Sequence, residues 1–126
     1  MLSPDSELSA EVSAETVAVA VFTALADATR RDILSELAAQ GSATATDLAD
    51  RLPISRQAIA KHLGLLSDAG LVQAETGERR RVCFALRSEP ITVAQTFLAA
   101  LARDWDSHLT SLSTYLDKNL AQEKGN

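Results

Sequence analysis

The sequence predicts a mainly α-helical fold with one small β-hairpin. Aromatic residues make up only 4% of the 126 residues, so the core is expected to be aliphatic, which favours helices packed on helices. Apolar residues recur at three- and four-residue spacing over most of the chain, and helix-start signals precede several of these stretches. After Gly70 the spacing changes to the alternation that is typical of strands.

Length and charge limit the functions that are expected. A chain of this size predicts one domain with a modest core. The net charge of −5 and the pI of about 4.9 argue, taken alone, against a nucleic-acid partner. Between residues 51 and 81, however, six basic side chains accompany only three acidic ones. The basic charge is therefore concentrated in one segment, and the acidic remainder is expected to be solvated surface.

Three further features favour a soluble, cytoplasmic protein. Cys83 is the single cysteine, so no disulfide can form within the chain, which is compatible with a reducing compartment. No basic residue precedes Arg30, so the pattern of a signal peptide is not met. The longest apolar-rich run, Val17–Ala26, is too short to span a membrane.

The first half of the chain is predicted to be helical. Residues 1–14 are small, polar and acidic, and we expect a flexible arm there. An uninterrupted apolar stretch predicts the first helix over Glu15–Ala26. The second helix has two start signals, Asp27 as a cap and the capping-box spacing from Thr29 to Asp32, and it is expected to end at Gly41.

A helix-turn-helix arrangement is expected next. The capping-box spacing from Thr44 to Asp47 predicts a short third helix that Pro53 ends. Ser55 can cap a fourth helix directly afterwards. Two helices joined by so short a turn form a helix-turn-helix. One face of the fourth helix is apolar, and we interpret His62, at the edge of that face, as a packed or locally hydrogen-bonded histidine.

The outer face of the fourth helix is unusual for a surface helix. Its middle holds Ala60 and Gly64, which have almost no side chain, and long hydrogen-bond donors flank them. Such a helix can approach a grooved partner closely, and the DNA major groove is ~12 Å wide and admits one α-helix. Arginine and glutamine bind base edges, whereas lysine and an N-terminal hydroxyl more often meet phosphate. The DNA contacts predicted from this helix are those of Ser55, Arg56, Gln57, Ala60 and Lys61.

A β-hairpin is predicted after Gly70. Leu71–Thr76 and Arg81–Arg87 have strand character, and the intervening turn begins with Gly77. Three successive arginines lie at the tip and on the return, where they could hold the minor groove or the DNA backbone, although at least one should point away. These predicted contacts are Arg79, Arg80 and Arg81.

The last predicted helix, at about 90–120, is expected to mediate dimerisation. Its apolar residues recur every three or four positions without Gly or Pro. About 30 residues would be ~45 Å long, more than the width of such a domain, so the stripe needs a partner. A second copy related by a two-fold axis is the simplest partner. The domain would span 15–120, followed by a disordered tail at 121–126. The predicted interface, on the first and last helices, comprises Val17, Val21, Leu98, Leu101, Trp105, Leu109, Leu112 and Leu116.

The order of these motifs resembles the ArsR/SmtB family of bacterial winged-helix transcriptional regulators. The resemblance runs from about Val17 to Trp105. It implies a winged helix-turn-helix fold with about five helices, and a homodimer that binds a palindromic operator and usually represses transcription. The motifs that carry it are Leu25–Leu34, Thr46–Ala49, Ser55–Leu63 and Leu66–Val72, followed by the arginine-rich hairpin.

Many members of that family sense metals, and this sequence departs from both of their patterns. The cysteines of the arsenic and cadmium sensors are missing from 44–49. Asp106 and His108 match the first ligand pair of the zinc and cobalt sensors, but the other two ligands would fall at Asn119 and Gln122, which are weak zinc ligands. We therefore predict no metal site and no cofactor, and we interpret His108 as a surface or interface residue.

The sequence leaves two alternatives to a DNA-binding regulator open. The acidic pI is compatible with a winged-helix protein-interaction module that does not bind DNA. A metal-responsive sensor is the other, and an unknown small-molecule effector would be a further partner. Catalysis is not expected, because the sequence has no Gly-rich phosphate loop, no paired catalytic carboxylates and no Ser/His/Asp constellation.

Overall fold

A computed structural model describes the backbone of residues 4–124 and the side chains of residues 14–121. In this part of the chain, five helices accompany one antiparallel hairpin, which confirms the predicted fold class. The elements in order are α1 (Pro4–Leu25), α2 (Ala28–Gln40), α3 (Ala45–Arg51), α4 (Arg56–Asp68), β1 (Val72–Thr76), β2 (Val82–Leu86) and α5 (Glu89–Lys124).

The chain divides into two compact units, residues 1–94 and residues 95–126. The first unit contains α1 to α4, the hairpin and the first turns of α5. Its core is aliphatic, as the composition predicts, and no polar or charged residue is among the buried side chains described. The large side chains that are almost fully buried are Val21, Ile33, Leu48, Ile59, Leu63, Leu66 and Leu71. The second unit is the remainder of α5.

Local caps set the starts of the three central helices. The Asp27 carboxylate accepts the backbone N–H of Arg30 at 3.0 Å, so α2 starts from Asp27 and the alternative start at Thr29 is not used. Thr44 and Asp47 form a reciprocal capping box at 3.0 and 3.1 Å at the start of α3. The Ser55 hydroxyl accepts the N–H of Ala58 at 3.2 Å at the start of α4. These three starts were predicted correctly.

The limits of the first and last helices differ from the prediction. α1 begins at Pro4 rather than Glu15 and takes in most of the segment predicted to be a flexible arm. Proline is tolerated in the first turn of a helix, and no glycine interrupts the residues that follow. α5 continues to Lys124, beyond the predicted end near residue 120, into the segment predicted to be a disordered tail. Residues 1–3 and 125–126 lie outside the described residues.

Arg30 and Arg31 join α1 to α2. The guanidinium of Arg30 donates to the carbonyl oxygens of Ala24 at 2.8 Å and Thr23 at 3.1 Å. Arg31 donates to the carbonyl oxygen of Leu25 at 2.6 Å. The last carbonyls of a helix have no partner within it, so these two side chains satisfy the end of α1.

The hairpin pairs Val72 with Leu86 and Thr76 with Val82, so each strand is shorter than predicted. Ala43, in the loop before α3, exchanges backbone hydrogen bonds with Phe84 at 2.8 and 3.1 Å. This bridge ties β2 to the helix-turn-helix. Val82 is 46% exposed and the next four residues of β2 are all half-buried, so the apolar alternation expected along this strand does not appear as alternating burial. No described helix is long and apolar enough to cross a membrane.

Candidate nucleic-acid interface

The outer face of α4 presents the predicted residues to solvent. Ile59, Leu63 and Leu66 bury the inner face of the helix in the core. A Cβ atom built at Gly64 would have no heavy atom within 4 Å, so the centre of the outer face is open. The inner face thus anchors the helix to the core, and a partner could approach the exposed outer face closely. The exposed residues from the predicted set are Ser55, Arg56, Gln57, Ala60 and Lys61.

A groove of about 330 Å³ lies between α3, α4 and the hairpin. It brings Arg56, at the start of α4, together with Arg80 and Arg81 of the hairpin. Thr44 and Thr46, at the start of α3, line the opposite side, and sequence reasoning did not select them as site residues. Thr44 belongs to the capping box and Thr46 to the motif Thr46–Ala49, but both signals indicate only a helix start and not what that start faces. The remaining lining residues are Ala45, Val82 and Phe84.

The acidic residue next to this groove is already engaged. Asp47 accepts the N–H of Thr44. This bond, followed by the one with the Thr44 hydroxyl, holds the pKa of Asp47 below its ordinary value, and the charges of Arg51 and Arg81 act in the same direction. The carboxylate thus remains ionised for capping α3, and Arg80 and Arg56 stay available to an anionic partner.

The tip of the hairpin has an unusual backbone. Arg79 and Arg80 have φ values of 59° and 60°, and the N–H of Arg81 donates to the carbonyl of Glu78 at 3.3 Å. Positive φ at both central residues is the mark of a type I′ turn, which strongly prefers Asn-Gly or Gly-Gly. Two arginines in this conformation are strained. The turn therefore carries two exposed cationic side chains at positions where its own geometry favours small residues.

His62 packs at the edge of the inner face, as predicted. Its Nδ1 atom is buried and has no hydrogen-bond partner. The Oδ2 atom of Asp27 lies 3.9 Å from this nitrogen. A hydrogen bond from the backbone N–H of Arg30 is the main reason that the pKa of Asp27 lies below its ordinary value, and the charges of Arg30 and His62 add to the effect.

The chain is similar in sequence to known helix-turn-helix proteins. A helix-turn-helix domain family matches residues 25–73. The chain is 45% identical over 78 residues to the HTH-type transcriptional regulator YuzN of Bacillus subtilis, covering 57% of this chain and 84% of that relative. It is 39% identical over 100 residues to the HTH-type transcriptional regulator Rv2034 of Mycobacterium tuberculosis, covering 76% of this chain and 85% of that protein.

Structural similarity decides which helix-turn-helix family this is. The fold matches an ArsR-like transcriptional regulator from Rhodococcus sp. RHA1 with a TM-score of 0.72 and 36% identity, over 78% of this chain and 91% of the other. The chain belongs to the ArsR/SmtB family. As a winged-helix member of that family it is a DNA-binding transcriptional regulator and not an enzyme.

One residue of this ArsR/SmtB chain that was predicted at the dimer interface is buried in the core instead. Val21 is 1% exposed and belongs to the core of the first unit, so it has no surface left for a partner, and its assignment to the dimer interface is corrected. Val17, one helical turn earlier, is half-buried. The six apolar residues predicted on α5 are between 44% and 61% exposed: Leu98, Leu101, Trp105, Leu109, Leu112 and Leu116.

Within the described residues, no group of three or more His, Cys, Asp and Glu side chains is arranged to hold a metal ion. Asp104, Trp105 and His108 instead border a shallow apolar depression with Leu101 on α5. His108 is exposed there.

Proposed function

We propose that this ArsR/SmtB chain is a homodimeric repressor that binds a palindromic operator, each protomer inserting α4 into the major groove of one half-site. One observation carries the proposal. The open outer face of α4 continues through Arg56 into the groove that also holds Arg80 and Arg81. The small residues on the outer face of α4 would let the helix approach DNA closely, and the adjoining groove could hold the DNA backbone.

The residues of this surface divide into two roles. Arg56 and Gln57 have the donors and acceptors for base edges, with Ala60 leaving room for the helix to sink into the groove. We assign Lys61 and the Ser55 hydroxyl, which are both exposed, to contacts with phosphates. The groove between α4 and the hairpin takes the DNA backbone, and Arg79, Arg80 and Arg81 hold the flank of the half-site.

The exposed apolar stripe on α5 supports the proposed dimer. Six large apolar side chains on one helix form a surface of the kind that marks an interaction site. A two-fold pair would place two recognition helices on half-sites about one helical turn apart, ~34 Å. The protein would act in the cytoplasm, where a bacterial operator lies, and an effector that the chain does not disclose would set its occupancy.

The experiment is DNA binding measured by fluorescence anisotropy at two salt concentrations. The probes are duplexes from upstream of the protein's own gene, and duplexes recovered by in vitro selection. Binding should saturate and should weaken about a thousandfold or more between 50 and 200 mM salt if the dimer neutralises six or more phosphates. If no duplex gives saturable, salt-sensitive binding, the proposal fails and the protein-interaction module without DNA binding is favoured.

A further inference from the structure

The groove between α3, α4 and the hairpin contains a hydroxyl group that the protein does not use for itself. Thr46 is exposed near the start of α3 and lines this groove. The hydroxyl of its neighbour Thr44 is engaged, because it accepts the backbone N–H of Asp47 at 3.0 Å in the capping box. The Thr46 hydroxyl, by contrast, has no hydrogen-bond partner among the described residues. It is therefore free to donate to a bound molecule.

An apolar side chain is exposed in the same groove. Val82, the first residue of β2, is 46% exposed and is one of the lining residues. Phe84, which is half-buried, and Ala45 line the groove as well. Single exposed apolar residues are common on protein surfaces. Here, however, the valine shares a groove with arginines, so the groove offers apolar and cationic contacts together.

The backbone holds the Thr46 and Val82 sides of the groove in place. The reciprocal capping box of Thr44 and Asp47 fixes the first turn of α3. Ala43, directly before this turn, exchanges backbone hydrogen bonds with Phe84 at 2.8 and 3.1 Å. The start of α3 is thereby tied to β2. A ligand that binds between them pays little for ordering the groove, because its sides are already in position.

The chemistry of the groove matches one unit of a DNA strand. Three arginines, Arg56, Arg80 and Arg81, line it, and none of its described lining residues is acidic. A DNA strand alternates a charged phosphate with a deoxyribose that has apolar C–H groups. Arginine and threonine are both common donors to phosphate oxygens, and many protein–DNA contacts also reach the sugar.

We propose that the groove seats one sugar–phosphate unit of the operator, with Thr46 donating its hydroxyl to the phosphate that the arginines attract and Val82 packing on the adjoining deoxyribose. Thr46 and Val82 are thus further DNA-binding residues. Neither is charged, so their contribution to affinity does not release counterions and does not depend on salt. The inference rests on the proposed function, because operator affinity is its readout.

The first test compares affinity and salt slope for the selected duplex. Thr46→Val replaces the hydroxyl by a methyl group and should weaken binding about tenfold with an unchanged salt slope, since a hydrogen bond to a charged group is lost but no charge is removed. Val82→Thr should weaken binding about threefold, again with the wild-type slope. Arg80→Gln is the contrast and should reduce the slope.

The second test locates the contact on the DNA. Duplexes that carry a single neutral methylphosphonate at successive backbone positions are measured with wild type and with Thr46→Val. At the seated phosphate the two changes should cost less together than the sum of their separate effects, whereas they should be additive at every other position. Each comparison uses one protein on two duplexes, so a difference in folding stability between the proteins cancels.

Two matched controls accompany these variants. Thr46→Ser keeps a hydroxyl and should retain wild-type affinity within about twofold, and Thr114→Val, on an exposed position of α5, should bind as wild type does. The proposal is overturned if Thr46→Val or Val82→Thr keeps wild-type affinity, if either reduces the salt slope, or if additivity holds at every phosphate. Wild-type protein that binds no duplex would instead refute the proposed function.

Discussion

Arg56 and Lys61 share the exposed face of α4, yet we expect their contributions to differ in kind. Arg56 begins the helix and lines the groove beside the hairpin, and arginine can bind a guanine edge bidentately. Arg56→Ala should cost ~1–3 kcal/mol for the operator and relax the preference at one base position. Lys61→Ala should weaken binding to all sequences equally and reduce the salt slope by about 1.

Both effects can be read from one data set, namely affinities for a panel of single-base operator variants at several salt concentrations. An unchanged preference profile in Arg56→Ala would remove this residue from direct base contact. A changed profile in Lys61→Ala would contradict its assignment to phosphate.

Asp47 makes the stability of the protein depend on acidity. Its folded-state pKa is lowered, mainly by the backbone and hydroxyl of Thr44. A lowered folded pKa stabilises the protein fully above the unfolded pKa of about 4, and this contribution is lost as the pH falls through the folded value. Asp47→Asn should therefore melt at a lower temperature than wild type at pH 6, and the two melting temperatures should converge as the pH falls below about 4.

Thermal unfolding by circular dichroism across that pH range measures this difference. Asp50→Asn, one turn further along the chain on an exposed position, is the matched control and should show no such convergence. A gap between Asp47→Asn and wild type that stays constant from pH 6 to pH 2 would contradict the role of the capping carboxylate.

Among the helices of the first half of the chain, the starts that carry a side-chain cap were predicted correctly and the start of α1 was not. Asp27, Thr44 and Ser55 each bind a backbone N–H three residues on, so the sequence nearby determines where α2, α3 and α4 begin. No such capping signal was identified at the start of α1, and its first residue was predicted incorrectly. The groove could not be foreseen either, because only the tertiary register brings Thr46 and Arg80 together.

The hairpin tip has cationic side chains at positions where the backbone is strained, and the resulting loss of folding stability can be measured. Arg79 and Arg80 adopt the positive φ values that a type I′ turn requires. The double variant Arg79→Asn/Arg80→Gly supplies the residues that this turn prefers and should stabilise the fold by ~1–2 kcal/mol. It should also weaken DNA binding and reduce the salt slope by up to about 2, since two phosphate contacts are removed.

Urea unfolding and salt-dependent anisotropy give the two readouts. Arg79→Lys/Arg80→Lys is the control, because it keeps both charges and the strained backbone and should leave the stability and the salt slope close to wild type. If the Asn-Gly variant binds DNA with an unchanged salt slope, the tip does not contact the phosphate backbone.

For the whole molecule, the distribution of charge matters more than its sum. The chain carries −5 overall, yet six of its twelve basic residues lie between residues 51 and 81. That segment contains α4 and the hairpin, which form the groove. Acidic surface elsewhere would disfavour DNA approaching from other directions, since like charges repel over about a Debye length. The acidic pI is therefore compatible with DNA binding in one orientation.

The assembly of two chains is the last property to test. Leu112 is exposed on α5 in line with Leu109 and Leu116, and a glutamate there would bury a charge in the proposed interface. Leu112→Glu should be monomeric by sedimentation velocity at concentrations where wild type is dimeric, and it should lose most of its operator affinity. Thr114→Glu places the same charge on the opposite side of the helix at 100° per residue and should remain dimeric. A dimeric Leu112→Glu protein would refute this interface.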